Sequence, residues 1–318
     1  MTLLPFAPEH IIPAAELVAA GARRQRTWVP AMPVAWTDAA HVARALVAIA
    51  DRGGGLAAID DGDLVAFHLA LTLDGRGGRF TYTPDIAHAA PGDPSARVRS
   101  RLYAALASGW IREACPEHVV SVLADDTVAL AAYARLGFGH HVTDLVADLR
   151  PIEAGPLPDG VTIRRAGPAD AAAVVDLDAG LRRHLEATPV CLRLPAQAPV
   201  EIHRRRLEDE AIATFLAERD GAAVSFLRIG PCASDVAMTV RDVGTASVTG
   251  AFTRPELRGL EVSSRLLAAA VDWARDAGYV RWAVDHESAN LEASRFWSRH
   301  ATPAAISLTR RLAPATVA

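Results

Sequence analysis

Apolar positions fall into two rhythms along this chain. Over Ser263–Ala277 they recur at Leu266, Leu267, Ala270, Val271 and Ala274, the spacing that places one apolar stripe on a helix. Gly278 follows as a helix stop, because glycine enters the left-handed conformation at little cost. Ala246–Thr253 alternates small and apolar residues and reads as a strand, Tyr279–Asp285 reads as the next strand, and Asn290–His300 reads as a short helix. Upstream, Ala57–Phe67 and Phe215–Phe226 each join two apolar runs through an Asp-Gly pair, Asp61-Gly62 and Asp220-Gly221. That is a β-hairpin signal, since both residue types tolerate the turn. Mixed strands flanked by helices predict an α+β (α/β layered) fold.

The pattern comes twice. Each half runs helix, hairpin, further strands, helix, strand, helix, strand. Phe6-Ala7-Pro8-Glu9 and Ala166-Gly167-Pro168-Ala169-Asp170 each lead into an Ala/Leu/Val helix. Arg101–Leu106 matches Arg265–Ala270, and Ala129–Tyr133 matches Ala293–Trp297, both at an offset of 164 residues. Two separated matches at one offset argue against a chance alignment of Ala-rich helices, and a period this long means a duplicated domain, not a solenoid. Pro151–Gly160 holds three Pro and two Gly, which is linker chemistry. The expected organisation is a domain over 1–150, a linker over 151–160 and a second domain over 161–318.

Composition narrows the function classes. A chain of 318 residues suits two domains, and 51% hydrophobic against 22% charged residues excludes a disordered chain. A net charge of −4 argues against a nucleic-acid binder. No long uncharged apolar run predicts a membrane span, and MTLLPFAPEH lacks the pattern of a secretory signal. Cys115, Cys191 and Cys232 stand far apart, with no metal or redox spacing. A cytoplasmic enzyme is the expectation, with no metal. All 33 basic residues are Arg, and Asn290 is the one Asn, the bias of a genome that avoids A/T-rich codons, as in actinobacteria. The lack of Lys removes Schiff-base and amine-nucleophile chemistry.

The stretch most informative about chemistry is Arg254–Ser264, Arg-Pro-Glu-Leu-Arg-Gly-Leu-Glu-Val-Ser-Ser, between a predicted strand and a predicted helix. Backbone N–H groups at a helix start are unpaired and partly positive, which makes this turn a natural phosphate seat. The half resembles a GCN5-related N-acetyltransferase (GNAT) domain. That family carries Arg/Gln-x-x-Gly-x-Gly/Ala at this turn and Asn-x-x-Ala-x-x-Phe-Tyr on a later helix. Asn290-Leu291-Glu292-Ala293-Ser294-Arg295-Phe296-Trp297 fits the second pattern at all but the last position. The first half keeps the family's Tyr-x-x-x-Gly-Phe ending as Tyr133-Ala134-Arg135-Leu136-Gly137-Phe138. The whole chain is similar to tandem-GNAT proteins.

The resemblance implies two GNAT-like domains, each a mixed, mostly antiparallel sheet flanked by helices. It implies an acyl-CoA-dependent N-acyltransferase that holds acetyl-CoA or another acyl-CoA beside a small-molecule amine acceptor. The donor would lie against Phe252, Thr253, Arg258, Gly259, Leu260, Val262, Ser263, Ser264, Asn290 and Phe296 of the second half. The acceptor would meet Arg183, His184 and Trp297, where an Arg suits an acidic acceptor. Asp285, His286 and Glu287 are candidate bases after the strand, and His286 titrates near neutrality if unperturbed. Against these stands a solvated acidic loop.

The departures carry their own expectations. Glu261 and Ser263 fill the two glycine positions of the phosphate turn, and a carboxylate repels a pyrophosphate unless it points away. Trp297 replaces the Tyr that often serves as the family's acid, and an indole N–H delivers no proton at neutral pH. The first half reads Pro94, Arg97 and Arg99 in the same register, with no Gly, so the donor is assigned to the second half and the first is expected to be degenerate. Competing readings are an enzyme fed by an acyl carrier protein docked at Arg204–Arg206, other chemistry on the same fold, and a non-catalytic ligand-binding protein. His203–Arg206 otherwise reads as a solvated helix face, His140-His141 as residues capping a helix end, and His68 as a satisfied half-buried or pocket-lining histidine.

Overall fold

A computed structural model describes residues 1–75, 78–92 and 96–312; Pro94 lies outside the described residues. In the first half the strands are β1 (Thr2–Pro5), β2 (Gly54–Asp60), β3 (Asp63–Gly75), β4 (Gly78–Thr83), β5 (His88–Ala89), β6 (Glu117–Leu123) and β7 (Gly139–Asp148). The helices are α1 (Ile11–Trp28), α2 (Ala39–Ala50), α3 (Arg97–Arg112) and α4 (Thr127–Arg135). The second half adds β8 (Val161–Arg165), α5 (Ala171–Glu186), α6 (Val200–Glu208), β9 (Ala213–Arg219), β10 (Ala222–Pro231), β11 (Thr245–Thr253), α7 (Val262–Asp276), β12 (Arg281–Glu287), α8 (Leu291–Trp297) and β13 (Thr302–Arg311). Both hairpins close as the Asp-Gly pairs predict, with positive φ at Asp61 and Gly62 (49° and 93°) and at Asp220 and Gly221 (51° and 78°), the twist that matches paired strands.

Duplication is visible in the caps. Asp126 accepts from the Ala129 N–H (2.9 Å) at the start of α4, and Asn290 accepts from the Ala293 N–H (3.2 Å) at the start of α8. These are the same N-cap at the 164-residue offset.

The chain forms two compact units, and they do not follow a cut at the linker. The first holds Met1–Asp144 together with Ala237–Val240 and the chain from Pro303; the second holds Leu145–Val236 and Arg241–Thr302. In the first, strands run in the order β1-β2-β3-β4-β6-β13, with β4 and β6 parallel. β13 pairs antiparallel with β6 from Ala305↔Leu123 to Arg311↔Glu117, so the last of the described strands completes the first unit. The short segment Ala237–Val240 is held there by carboxylates: Asp85 accepts from the Met238 and Thr239 N–H groups (2.9 Å each), and Asp144 from the Ala237 N–H (2.9 Å).

In the second unit the order is β12-β11-β10-β9-β8. One face carries α7, whose Leu266, Leu267, Ala270 and Val271 pack with Leu227, Val248, Trp282 and Val284. The other carries α5, through Val174 and Leu177 against Leu216 and Phe226. The proline-rich stretch 151–160 is no free tether, because Ile152 and Leu157 pack on the α7-side core. His140 and His141 lie within β7 rather than capping a helix; His140 Nε2 pairs with Thr143 Oγ1 at 2.9 Å. On α6, Arg204 and Arg205 are exposed but His203 is buried, so that run is a solvated face only in part.

Candidate functional site

The site begins with a divergence of strands. β11 and β12 pair in parallel only at Thr245↔Arg281, Ala246↔Trp282 and Ser247↔Ala283, although both continue, to Thr253 and Glu287. Beyond Ser247 and Ala283 the facing edges keep backbone groups that the ladder does not use, and such edges accept an extended, amide-bearing ligand. A cavity of about 390 Å³ opens in this unit. Its walls are Leu181 and His184 of α5, Ser225–Leu227 of β10, Ala251–Thr253 of β11, the turn at Arg258, Gly259 and Ser263, and Asn290, Ala293, Phe296 and Trp297 of α8.

The turn forms one end of this cavity. Its first helical hydrogen bond runs from the Arg265 N–H to Glu261 O (3.0 Å), so the N–H groups from Gly259 to Ser264 precede the helical ladder and carry the positive end of the α7 dipole. Gly259 has φ +74° and opens the turn. Val262 and Ser264 are buried, Ser263 half-buried, and Leu260 exposed. Hydroxyls stiffen the wall: Ser225 Oγ donates to Phe252 O (2.8 Å), which sets the direction of the chain Ser263 to Thr253 (2.8 Å) to Ser225 (2.6 Å). Arg258 donates to Thr253 O (3.1 Å), stacks 5.8 Å from the Phe252 ring and pairs with Glu292.

Glu261 does not face this cavity. Its carboxylate accepts from the Gly155 N–H (3.4 Å), while Arg265, one turn on, donates to Gly155 O (2.7 Å). The acidic side chain that would repel a phosphate therefore clasps the 151–160 segment instead. It does so from a left-handed backbone, φ 62° and ψ 0°, a conformation a glycine would take freely.

The structure gathers nine of the sequence-predicted residues on the cavity wall: His184, Phe252, Thr253, Arg258, Gly259, Ser263, Asn290, Phe296 and Trp297. His184 Nε2–H donates to Asn290 Oδ1 (3.3 Å), which joins α5 to the α8 cap. Arg183 is exposed on α5 and lies outside the lining. Asp285, His286 and Glu287 end β12 beyond the lining too. Alternation sends the buried His286 to one face and Asp285 and Glu287 to the other. The His286 Nδ1–H donates to Glu287 O (3.0 Å). The Asp285 side chain reaches solvent, yet burial in the surrounding protein, with Glu287 and Asp235 beside it, pushes its carboxyl up to about 6. Sequence reasoning passed over Glu292, Ser225 and Ala251, which only the folded chain brings to the cavity; Glu292 stood inside the quoted helix motif.

The first unit has a cavity of its own, about 460 Å³, with His88, Arg99 and Asp126 in its wall. Arg99 is buried there and donates to Asp126 (2.7 Å), so its guanidinium is already engaged at the α4 cap. Among the described residues no group of His, Cys, Asp and Glu is placed to hold a metal ion, and no helix is long and apolar enough to cross a membrane.

A profile of the Acetyltransferase (GNAT) family matches residues 181–301. Aminoglycoside N(6')-acetyltransferase type 1 of Stenotrophomonas maltophilia is 32% identical over 133 residues, which span 42% of this chain and 79% of that enzyme. The chain belongs to the GNAT family. It is thus an acyltransferase, of a family whose donor is acetyl-CoA. The GCN5-related N-acetyltransferase of Sphaerobacter thermophilus superposes with a TM-score of 0.59, covering 97% of this chain and 95% of that one at 17% identity. A GCN5-related glucosamine N-acetyltransferase region in a fungal multi-domain GH3 β-N-acetylglucosaminidase gives 0.54, covering 97% of this chain and 38% of that one at 13% identity. At such identities the likeness is one of fold. The residues present fit an acetyl-CoA donor: GNAT strands that splay, a helix start with unengaged N–H groups, and a carboxylate turned aside.

Proposed function

We propose that the second unit transfers the acetyl group of acetyl-CoA to the amine of a small molecule, with donor and acceptor held together in one complex. The observation that carries this is the splay of β11 and β12 leading to the N–H groups of Gly259–Ser264, with Glu261 turned away. Those N–H groups and Arg258 hold the donor's phosphates, and Phe252, Thr253, Asn290 and Phe296 line its arm. His184 and Trp297 wall the reacting end. Asp285, at the end of β12 just beyond the cavity lining and with its carboxyl raised to about 6, is the candidate to take the proton from the acceptor's ammonium, relayed through water. The amine nitrogen then bonds to the thioester carbon and the carbon–sulfur bond breaks; the nitrogen gives up its second proton to solvent, and the departing thiolate takes one from water, since the Trp297 indole delivers none at neutral pH. Holding the two reactants side by side supplies most of the acceleration.

Calorimetry tests this directly. Acetyl-CoA is expected to bind wild-type protein with a micromolar Kd, and Ser263→Arg, which fills the turn with a bulky side chain, to abolish the heat. An absence of heat with millimolar acetyl-CoA would overturn the reading.

A further inference from the structure

We propose that the acceptor carries a carboxylate as well as its amine, and that Arg228 receives it next to the cavity. The inference rests on the second unit being the acetyl-transfer site. Its starting point is strand register. Phe226 pairs with Phe252, and both line the cavity. Two residues along the same strands, and so on the same face, Arg228 pairs with Gly250. The guanidinium lies over that glycine: a Cβ there would come within 3.0 Å of Arg228 Nη2. The next residue, Ala251, is in the cavity wall.

Arg228 is only 8% exposed. Its Nε donates to Thr249 Oγ1 (2.9 Å) and its Nη2 to Thr249 O (2.8 Å), at the bulge where the β10–β11 register shifts. Thr249 is exposed and Gly250 half-buried, so this rung opens to solvent. Among the described residues no carboxylate lies within ion-pair distance of Arg228. The charged and titratable groups that act on it or its neighbour are Arg206 and His203 on α6 and Asp178 on α5. Burial, and then Arg206, bring its guanidinium down to about 10. His203 is 1% exposed and neither ring nitrogen has a partner.

A buried guanidinium normally has its own carboxylate, because the cost of removing it from water must be offset. Here two Thr249 oxygens satisfy part of the fork, and Asp178, the acid that acts on the charge, is not at ion-pair distance. A planar carboxylate suits the rest. A polycationic amine would instead bring like charge against it. The sequence placed an acid-binding arginine at Arg183, but that side chain is on the surface and Arg228 is the buried one.

The test uses matched pairs differing only in the carboxylate. With acetyl-CoA, release of thiol is measured for L-phenylalanine and L-phenylalaninamide, for β-alanine and β-alaninamide, and for kanamycin. Calorimetry with N-acetyl-L-phenylalanine and its amide reads the same preference without turnover. The acid of each pair is expected to lead by at least about tenfold, in KM or Kd rather than kcat. Arg228→Gln should bring the ratio to about one, Arg228→Lys should keep part of it, and Thr249→Val, which leaves the charge in place, should keep it. Equal or better behaviour of the amides or kanamycin, an unchanged ratio in Arg228→Gln, or no carboxylate binding at about 10 mM would each overturn the inference. The wild-type ratio decides even where a variant does not fold. Acetyl-CoA binding, measured separately, judges the transferase reading.

Discussion

At the scale of single residues, Glu261 departs most from what its position asks. It occupies a left-handed turn at a cost of about 1 kcal/mol relative to glycine, and it returns only a long hydrogen bond to Gly155, worth less than that. Glu261→Gly should therefore leave the urea midpoint unchanged or raise it. Because the carboxylate does not face the turn, the acetyl-CoA Kd should move by less than about threefold, or 0.7 kcal/mol; a large gain in affinity would mean the side chain swings toward the donor. The motif residues themselves were legible in the sequence, from Arg258 and Ser263 to Asn290 and Phe296. The direction of Glu261 was not, since it depends on a residue more than a hundred positions away. Arg228 was equally silent, as its meaning lies in burial without a paired carboxylate.

At the scale of elements, the turns and periodicities translated directly. Both Asp-Gly hairpins formed, α7 buried the stripe its spacing drew, and two helices started with one cap at one offset. What the linear pattern missed was the packing of polar residues: it set His203 in a basic run that reads as solvent-facing and His140-His141 at a helix end, whereas tertiary contact buried the first and strand pairing claimed the others. Contact between elements also sets the cavity wall. Gly180 on α5 faces the Phe252 ring so closely that a Cβ would lie 2.6 Å from it. Alanine ordinarily strengthens a helix by about 1 kcal/mol over glycine, but overpacking here costs about 1–3 kcal/mol. Gly180→Ala is expected to lower stability by about 1 kcal/mol in denaturant titrations and to raise the acetyl-CoA KM, as Phe252 is driven into the cavity. A stabilised variant with unchanged KM would show that the ring moves elsewhere.

At the scale of the whole molecule, the first unit carries a buried set of histidines whose protonation couples to folding. Burial drives His68 well below its usual value, His88 to about 4, and His118 down as well. His68 Nε2 pairs with Thr83 (2.8 Å), and His88 Nε2–H donates to Ser121 O (2.8 Å). The folded unit keeps these rings neutral, while the unfolded chain protonates them near 6.5. Below that pH the unfolded state binds more protons, so stability is full above about 6.5 and falls as pH drops toward 4. Urea unfolding followed from pH 7.5 to 4.5 should show a steady loss across this window, reduced in His88→Gln. A flat profile would mean the rings take up protons equally in the folded and unfolded states.

The placement of β13 has a consequence for synthesis. An N-terminal domain commonly folds as it emerges from the ribosome, before the rest of the polypeptide exists. Here the strand beside β6 follows the whole second unit in the chain, so the N-terminal unit must wait, with one side of β6 open, until that second unit has been translated. A stop codon shortly after Thr302 would spare the segment 181–301 that carries the family signature and would deprive the other, N-terminal unit of its closing strand.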